Sequence, residues 1–483
     1  MARIGPAGLL GPILLSALAT AGGAEVTWDT IIRLTTNPSS QVTGYTGQRS
    51  VAVDGAGSVH VAWQDQRAPM PYKVWYRRYD PDSGSWLAET TLSTPSANCF
   101  QPSIACDSTG NVHVVWHIGS AMGTGIWAKR YNAGTRHWRA DTLIDSTSTS
   151  NPQLYPSVAC VPGTGDAAVA WYGLPDTGMF YQVFLKERHP ATGWDSAMQV
   201  SSAATSHDQV SVAAGANGEI AVVWVGRDFG GDYNQVYCRR RVVGAWQGVE
   251  LVSDIPLALS QYAPSVAFDP EGAVHAVWYG RTLNSGYFQV FHRMHGDGGW
   301  SNIDTISGTR PYQQQHPSIA CDAMGRCHAV WCSQAGGSNF QLAYNQRDTN
   351  GVWSSAMILT GLDSGSVSHP SVACHADSGI HVVWYDASSG NQDVYYLRGT
   401  LPGPGVAEPR PAPFVLRPVT VATFVRGILY HNESTSPSSL MDVGGRKVMD
   451  LVPGANDVHS LAPGVYFLCA SDGGQYCRLV LIR

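Results

Sequence analysis

Asp65, Asp228 and Asp386 each stand two to four residues beyond a tryptophan that closes an apolar, alternating run (Trp63, Trp224 and Trp384). Two carboxylates on either side of a bound water are what an inverting glycoside hydrolase requires, and Asp65 with Asp386 is the pair this chain offers. Arg67, Arg227 and Arg281 follow similar runs and suit an anionic group. Tyr155, Tyr262, His316 and His369 stand just before, or one residue removed from, a Pro-Ser pair. Rings, guanidinium groups and imidazoles gathered on one face suit sugars, whose apolar sides stack on rings while their hydroxyls take hydrogen bonds.

Two other sets of residues invite chemistry and are better read as scaffold. His60, His113, His275, His328 and His381 each lie three residues before a tryptophan, and in four of these repeats an aspartate (Asp54, Asp107, Asp269, Asp322) lies six residues earlier. Histidine and aspartate that come and go together across a glycine-containing turn indicate a local hydrogen bond rather than a metal site. No metal site or cofactor is expected, with room left for a structural calcium ion in a central channel. Of ten cysteines, Cys469 and Cys477 flank a hairpin turn and are the expected disulfide; Cys321 and Cys327 are a weaker pair.

The elements that position these residues follow from a repeat. SVAVDGAGSVHVAW ends at Trp63, and related copies end at Trp116, Trp171, Trp224, Trp278, Trp331 and Trp384, spaced 53 to 55 residues apart. Each copy is a hairpin, followed by a third strand such as KVWYRRY from Lys73 and a fourth that opens with Trp86, Trp138, Trp194, Trp246, Trp300 or Trp353. Four antiparallel strands make a propeller blade, so the expected fold is all-β, with a seven-bladed β-propeller over residues 25–399. Repeat seven lacks its own fourth strand. The segment EVTWDTIIRLT from Glu25 carries Trp28 in the same pattern and should complete that blade. Fourteen of the 16 tryptophans thereby have a scaffold position, and Trp75 and Trp127 fall in third strands, so a ligand face must rely on tyrosine, histidine and arginine. Serines and alanines at matching positions of the innermost strands (Ser50 and Ala52, Ser103 and Ala105, and so on) are read as close packing at the axis.

Residues 1–24 read as a secretory signal, with Arg3 before an apolar stretch and Ala19-Thr20-Ala21 after it. A proline-rich linker spans 400–413, and 414–483 read as a small C-terminal β-sandwich. Net charge is −6 with no basic run, which argues against nucleic acid.

The repeats resemble those of the sialidase-like superfamily, whose blades carry an Asp-box turn; Asp82-Ser83-Gly84-Ser85-Trp86 follows it loosely. That resemblance implies an arginine triad, an aspartate acid/base and a tyrosine nucleophile activated by glutamate. Here there are seven repeats, no Arg-Ile-Pro motif, and only eight glutamates, none placed beside a tyrosine of the ligand face. The C-terminal segment is similar to the sorting domain of type IX secretion substrates, through Gly445-Arg446-Lys447-Val448 and Leu461-x-x-Gly464-Val465-Tyr466. This implies a bacterial protein that meets the secretion machinery through this domain and is released or held at the cell surface. The expected function is a monomeric secreted or surface propeller that binds an extracellular glycan or protein without catalysis. The alternative is a sialidase-like glycoside hydrolase or lyase.

Overall fold

The computed structural model describes residues 26–401, apart from short loop stretches, and strand segments between 423 and 481. The signal segment, most of the linker and Asp228 lie outside the described residues. The chain divides into two compact units, Met1–Gly403 and Pro404–Arg483. The first is the seven-bladed propeller. In blade one, Val51–Val53, Val59–Asp65, Lys73–Asp80 and Ser85–Trp86 run from the axis outward, and the other blades repeat that order.

The period of two explains the packing between blades. Val112, Val114 and Trp116 of blade two face Ala62, Val74 and Tyr76 of blade one. Val115 points the other way, toward Val158, Val169 and Trp171 of blade three. The seven tryptophans that end the second strands are at most 1% exposed, so each fills the gap between neighbouring sheets.

Closure uses the N-terminus. Thr27–Trp28 and Ile32–Arg33 pair antiparallel with Asp393–Thr400, setting Trp28 opposite Gly399 and Ile32 opposite Tyr396. A side-chain detail repeats with it. In blades three to six a serine or threonine after the fourth strand donates to the glutamine that starts the third (Ser201 to Gln182, Ser253 to Gln235, Ser307 to Gln289, Thr360 to Gln341). The same hydroxyl accepts the next backbone N–H. In blade seven Asp393 replaces the glutamine, and Thr35 from the N-terminal segment donates to it at 3.1 Å and accepts from Val394 N at 2.9 Å. Thr35 is thus the fifth member of the set, 358 residues away in sequence from the aspartate it serves.

The axial serines do more than leave space. Ser103 Oγ accepts from Val158 N, Ser157 from Val212 N, Ser265 from Ile319 N, Ser318 from Val372 N and Ser371 from Ser50 N. Each hydroxyl satisfies a backbone donor on the free edge of the next blade's innermost strand, an edge that would otherwise go unpaired.

A second ring of contacts lies further out. Arg77, Lys129, Lys186, Arg239, Arg293 and Asn345, from third strands, donate to Leu34 O, Leu92 O, Ile144 O, Val200 O, Val252 O and Ile306 O of the preceding blade. Arg77 clasps the closing segment itself. Replacing it with methionine keeps the apolar stem and removes the charged hydrogen bond, so Arg77→Met is expected to cost about 1.5–3 kcal/mol. An unchanged urea midpoint would show that the clasp carries no load.

The histidine and aspartate pairs form across their hairpins in blades one, five and six: His60 to Asp54 at 3.2 Å, His275 to Asp269 at 3.1 Å and His328 to Asp322 at 3.3 Å. Blade two is an exception, because Asn111 takes the Asp107 carboxylate at 2.8 Å and leaves His113 Nε2 unpaired. The other ring nitrogen meets a third-strand tyrosine in blades one, six and seven (Tyr76, Tyr344, Tyr396), which the sequence did not reveal.

Cys321 and Cys327, the weaker of the two expected pairs, form a disulfide. They are direct partners in register, whereas the C-terminal hairpin sets Cys469 opposite Tyr476 and Cys477 opposite Leu468, one place out of step. The side chains of Cys469 and Cys477 lie outside the described residues. The C-terminal unit holds a five-stranded sheet, in which Thr423–Val425 runs parallel to Tyr476–Leu481, and a two-stranded ribbon.

Candidate functional site

Six of the seven blades enter the axis through the same distortion. Gln101, Tyr155, Gln209, Ala263, His316 and His369, each two residues before the axial serine, have positive φ between 44° and 55°. Register slips at these points, between Leu154 and Ser157 for example, mark them as β-bulges. Left-handed backbone at a non-glycine residue costs about 1 kcal/mol or more each time, and six such residues around one mouth mark a site that the fold holds under strain. Proline follows five of them, and the extended backbone it favours at the preceding residue is overridden each time, so sequence alone does not signal the bulge.

Blade one departs from this pattern. Its innermost strand is short, and the segment before it crosses the axis. A side chain at Gly47 (φ 91°) would sit 2.5 Å from Val210 O, and one at Gly44 would sit 2.5 Å from Pro102 O, so only glycine permits the crossing. Ser157 Oγ donates to Gly47 O at 2.9 Å and anchors the segment across the ring. It carries Tyr45 into the mouth and Arg49 into the channel.

Above this segment lies a cavity of about 260 Å³ lined by Tyr45, Tyr155, Tyr172, Asp208, Gln209, Ala263, Tyr279 and His316. The rings form a belt. Tyr45 lies 4.2 Å from His369, His369 4.2 Å from His316, and His316 5.3 Å from Tyr279, centroid to centroid. On the other side Tyr155 stacks on Tyr172 at 5.4 Å, nearly parallel, and meets His117 at 5.2 Å.

Burial sets the protonation states. It pushes Asp208 up to about 6, against the pull of His207 and Gln209. It pushes His316 down to about 4, and His369 well below its ordinary range with help from His316. It raises Tyr172, with Tyr155 and Asp208 adding to the effect, and raises Tyr279, with Tyr262 adding. At neutral pH the cavity therefore holds neutral imidazoles, protonated phenols and one carboxylate that ionises late.

The folded pKa of Asp208 lies above its unfolded value of about 3.9, so its ionisation disfavours the fold; the cost is absent below pH ~4, grows toward pH 6 and is complete above it. Asp208→Asn is expected to gain stability relative to the parent as pH rises through that window. Parallel melting curves for the two proteins at every pH from 4 to 8 would contradict the assignment.

Below the cavity a neck of about 10 Å³ is walled by Tyr45, Gln48, Arg49, His316 and His369 among others, and Arg49 separates it from a lower channel of about 220 Å³. Arg49 Nη1 and Nη2 donate to Val212 O and Val266 O at 3.2 and 2.7 Å. Burial lowers its pKa to about 10, so it keeps its charge at neutral pH. A guanidinium thus occupies the axis where the sequence left room for calcium.

Of the residues singled out in the sequence, Tyr155 and His316 line the cavity and His369 lines the neck. Tyr262 lies behind Tyr279, with ring centroids 5.5 Å apart. The others are engaged elsewhere. Asp65 is fully buried, accepts from Ser39 Oγ at 2.6 Å and pairs with Arg67 at 2.7 Å; Arg67 also pairs with Glu89 and covers Trp75. Asp386 accepts from Trp384 Nε1 and from Ser388. The two aspartates expected to flank a water are therefore occupied as structural acceptors, Asp65 by Ser39 and Arg67 and Asp386 by Trp384 and Ser388. Arg227 is exposed and donates to Asn234, and Arg281 covers Phe288 at 4.7 Å. Tyr45, Tyr172, Asp208, Gln209 and Tyr279 were missed.

No family model matches the chain, and no curated protein matches it. Among solved structures it is similar in fold to the polysaccharide lyase Uly1, with a TM-score of 0.53 and 10% identity over 77% of this chain and 99% of that one. An ulvan lyase from a new polysaccharide lyase family follows at 0.49, with 12% identity over 75% and 95% of the two chains. A Hadza microbial sialidase follows at 0.41, with 10% identity over 71% and 73%. At these identities the likeness is one of fold.

Proposed function

We propose that the axial cavity is the active site of a glycan-cleaving enzyme working by elimination, with Asp208 as base and Tyr172 as acid. One observation carries the proposal: among the described residues that line the cavity Asp208 is the sole carboxylate, and it sits beside protonated tyrosines. Hydrolysis by paired carboxylates needs a second one, and Asp65 and Asp386 are committed elsewhere. Elimination needs a single base and a single acid. Asp208 takes a proton from a ring carbon that neighbours an electron-withdrawing group. The freed pair forms a carbon–carbon double bond, the glycosidic C–O bond on the next carbon breaks, and the Tyr172 hydroxyl protonates the departing oxygen. Tyr155, stacked on Tyr172, holds the acid in place. The fold shared with a polysaccharide lyase is consistent with this chemistry.

The rate is expected to rise with pH through a midpoint near 6 as Asp208 ionises. Incubation with a panel of polysaccharides, followed by ultraviolet absorbance of the new double bond, tests the reaction. Tight binding with no growth in absorbance would restore the reading of a binding protein without catalysis. We further propose export from the cell, on the strength of residues 1–24.

A further inference from the structure

We propose that the neck beneath the axial cavity is an oxyanion subsite, in which Arg49 and His369 hold one carboxylate oxygen of an acidic sugar. This rests on the reading of the cavity as a glycan site and names the class of glycan. His369 is 9% exposed, and its Nδ1 lies 3.3 Å from the Tyr385 hydroxyl, which is placed to donate to it. The ring proton of the neutral imidazole then sits on Nε2, which is buried and has no hydrogen-bond partner. Gln48 Oε1 is likewise buried and unpartnered, and half a turn of the amide brings its N–H groups to the neck instead.

Arg49 adds the charge. It has two backbone carbonyls but no carboxylate partner among the described residues. A water in the neck would satisfy His369, whereas a carboxylate oxygen also gives this half-buried cation a counter-ion. The neck has room for about one oxygen atom, which suits one arm of a carboxylate and excludes a sulfate or phosphate group entering whole. Tyr45 and His316 wall both spaces, so a sugar stacked in the belt above can lower a carboxylate into the neck. That carboxylate is the electron-withdrawing group that elimination requires beside the carbon facing Asp208.

The repeat supports the assignment. Five blades place proline before the axial serine (Pro102, Pro156, Pro264, Pro317 and Pro370), and blade four places Val210 there. Blade one alone has a charged residue there, Arg49, and its two bonds to backbone carbonyls require a donor but not a charge.

The test uses the full-length protein and a panel of uronate-containing oligosaccharides, each paired with its carboxyl-reduced counterpart, with affinity read by titration calorimetry. At least one acidic member should bind 10-fold or more tighter than its reduced partner. Arg49→Gln and His369→Gln should each erase that preference, lowering the affinity for the acidic member at least 10-fold more than for its reduced partner. Since Arg49 also ties two blades together, His369→Gln keeps the test valid if the arginine variant fails to fold. Equal affinity within every pair, or variants that weaken both members alike, would overturn the subsite. Acid preference without cleavage would leave the neck standing and remove the catalytic reading; cleavage without acid preference would do the reverse. Binding to no member would overturn both.

Discussion

Asp208→Asn is expected to lower glycan turnover by about 10²- to 10⁴-fold, the range in which a positioned general base contributes. The fold should survive it. Asparagine keeps the shape and the hydrogen-bonding capacity while removing a charge that the half-buried site disfavours, so the variant should melt no lower than the parent at neutral pH. Asp65→Asn makes the contrast. It leaves Arg67 with Glu89 alone and weakens the acceptor for Ser39 in a buried loop, so it should lower stability and reduce turnover only in proportion to unfolded protein. If Asp65→Asn abolished turnover in a well-folded protein while Asp208→Asn did not, the cavity would be the wrong site.

Deletion of residues 25–36 should produce the largest loss of stability. It removes the outer edge of blade seven, exposing Asp393–Thr400 along one side, and takes away Leu34, which is 1% exposed between blades seven and one. Thr35 leaves Val394 N without its acceptor, and Arg77 loses the carbonyl it clasps. Summed over a strand's hydrogen bonds and one buried leucine, the melting temperature should fall by roughly 10 °C or more, with aggregation through the open edge. Thr35→Val isolates the hydroxyl and should cost about 1–2 kcal/mol. A truncated protein that melted with the parent would mean that the ring does not need its N-terminal strand.

The scaffold was legible because seven copies state the same packing problem. Trp63 and its six counterparts recur at one position because every pair of sheets leaves the same gap, and the orphaned Trp28 revealed how the ring closes. The site was less legible for the opposite reason: its residues are where the repeat breaks. Arg49 takes the place of a proline, and Asp208 belongs to the one bulge that lacks a following proline, so neither stands out until the copies are compared position by position for exceptions. Asp65 and Asp386 drew attention by lying just beyond a conspicuous tryptophan. That nearness is also what occupies them, since a carboxylate at the end of a second strand meets donors close by, Arg67 for Asp65 and Trp384 and Ser388 for Asp386. The left-handed backbone at Tyr155, His316 and His369 depends on the convergence of seven strands at one mouth, a property of the closed ring that no single repeat contains.

The most direct test is the mass of the products. Elimination consumes no water, so digestion of an acidic polysaccharide by the wild-type protein is predicted to give, at each cleavage, one fragment lighter by one water than its hydrolytic equivalent, and Asp208→Asn should give none. Fully hydrated fragments that persist in Asp208→Asn would contradict the account and return the protein to the glycoside hydrolases.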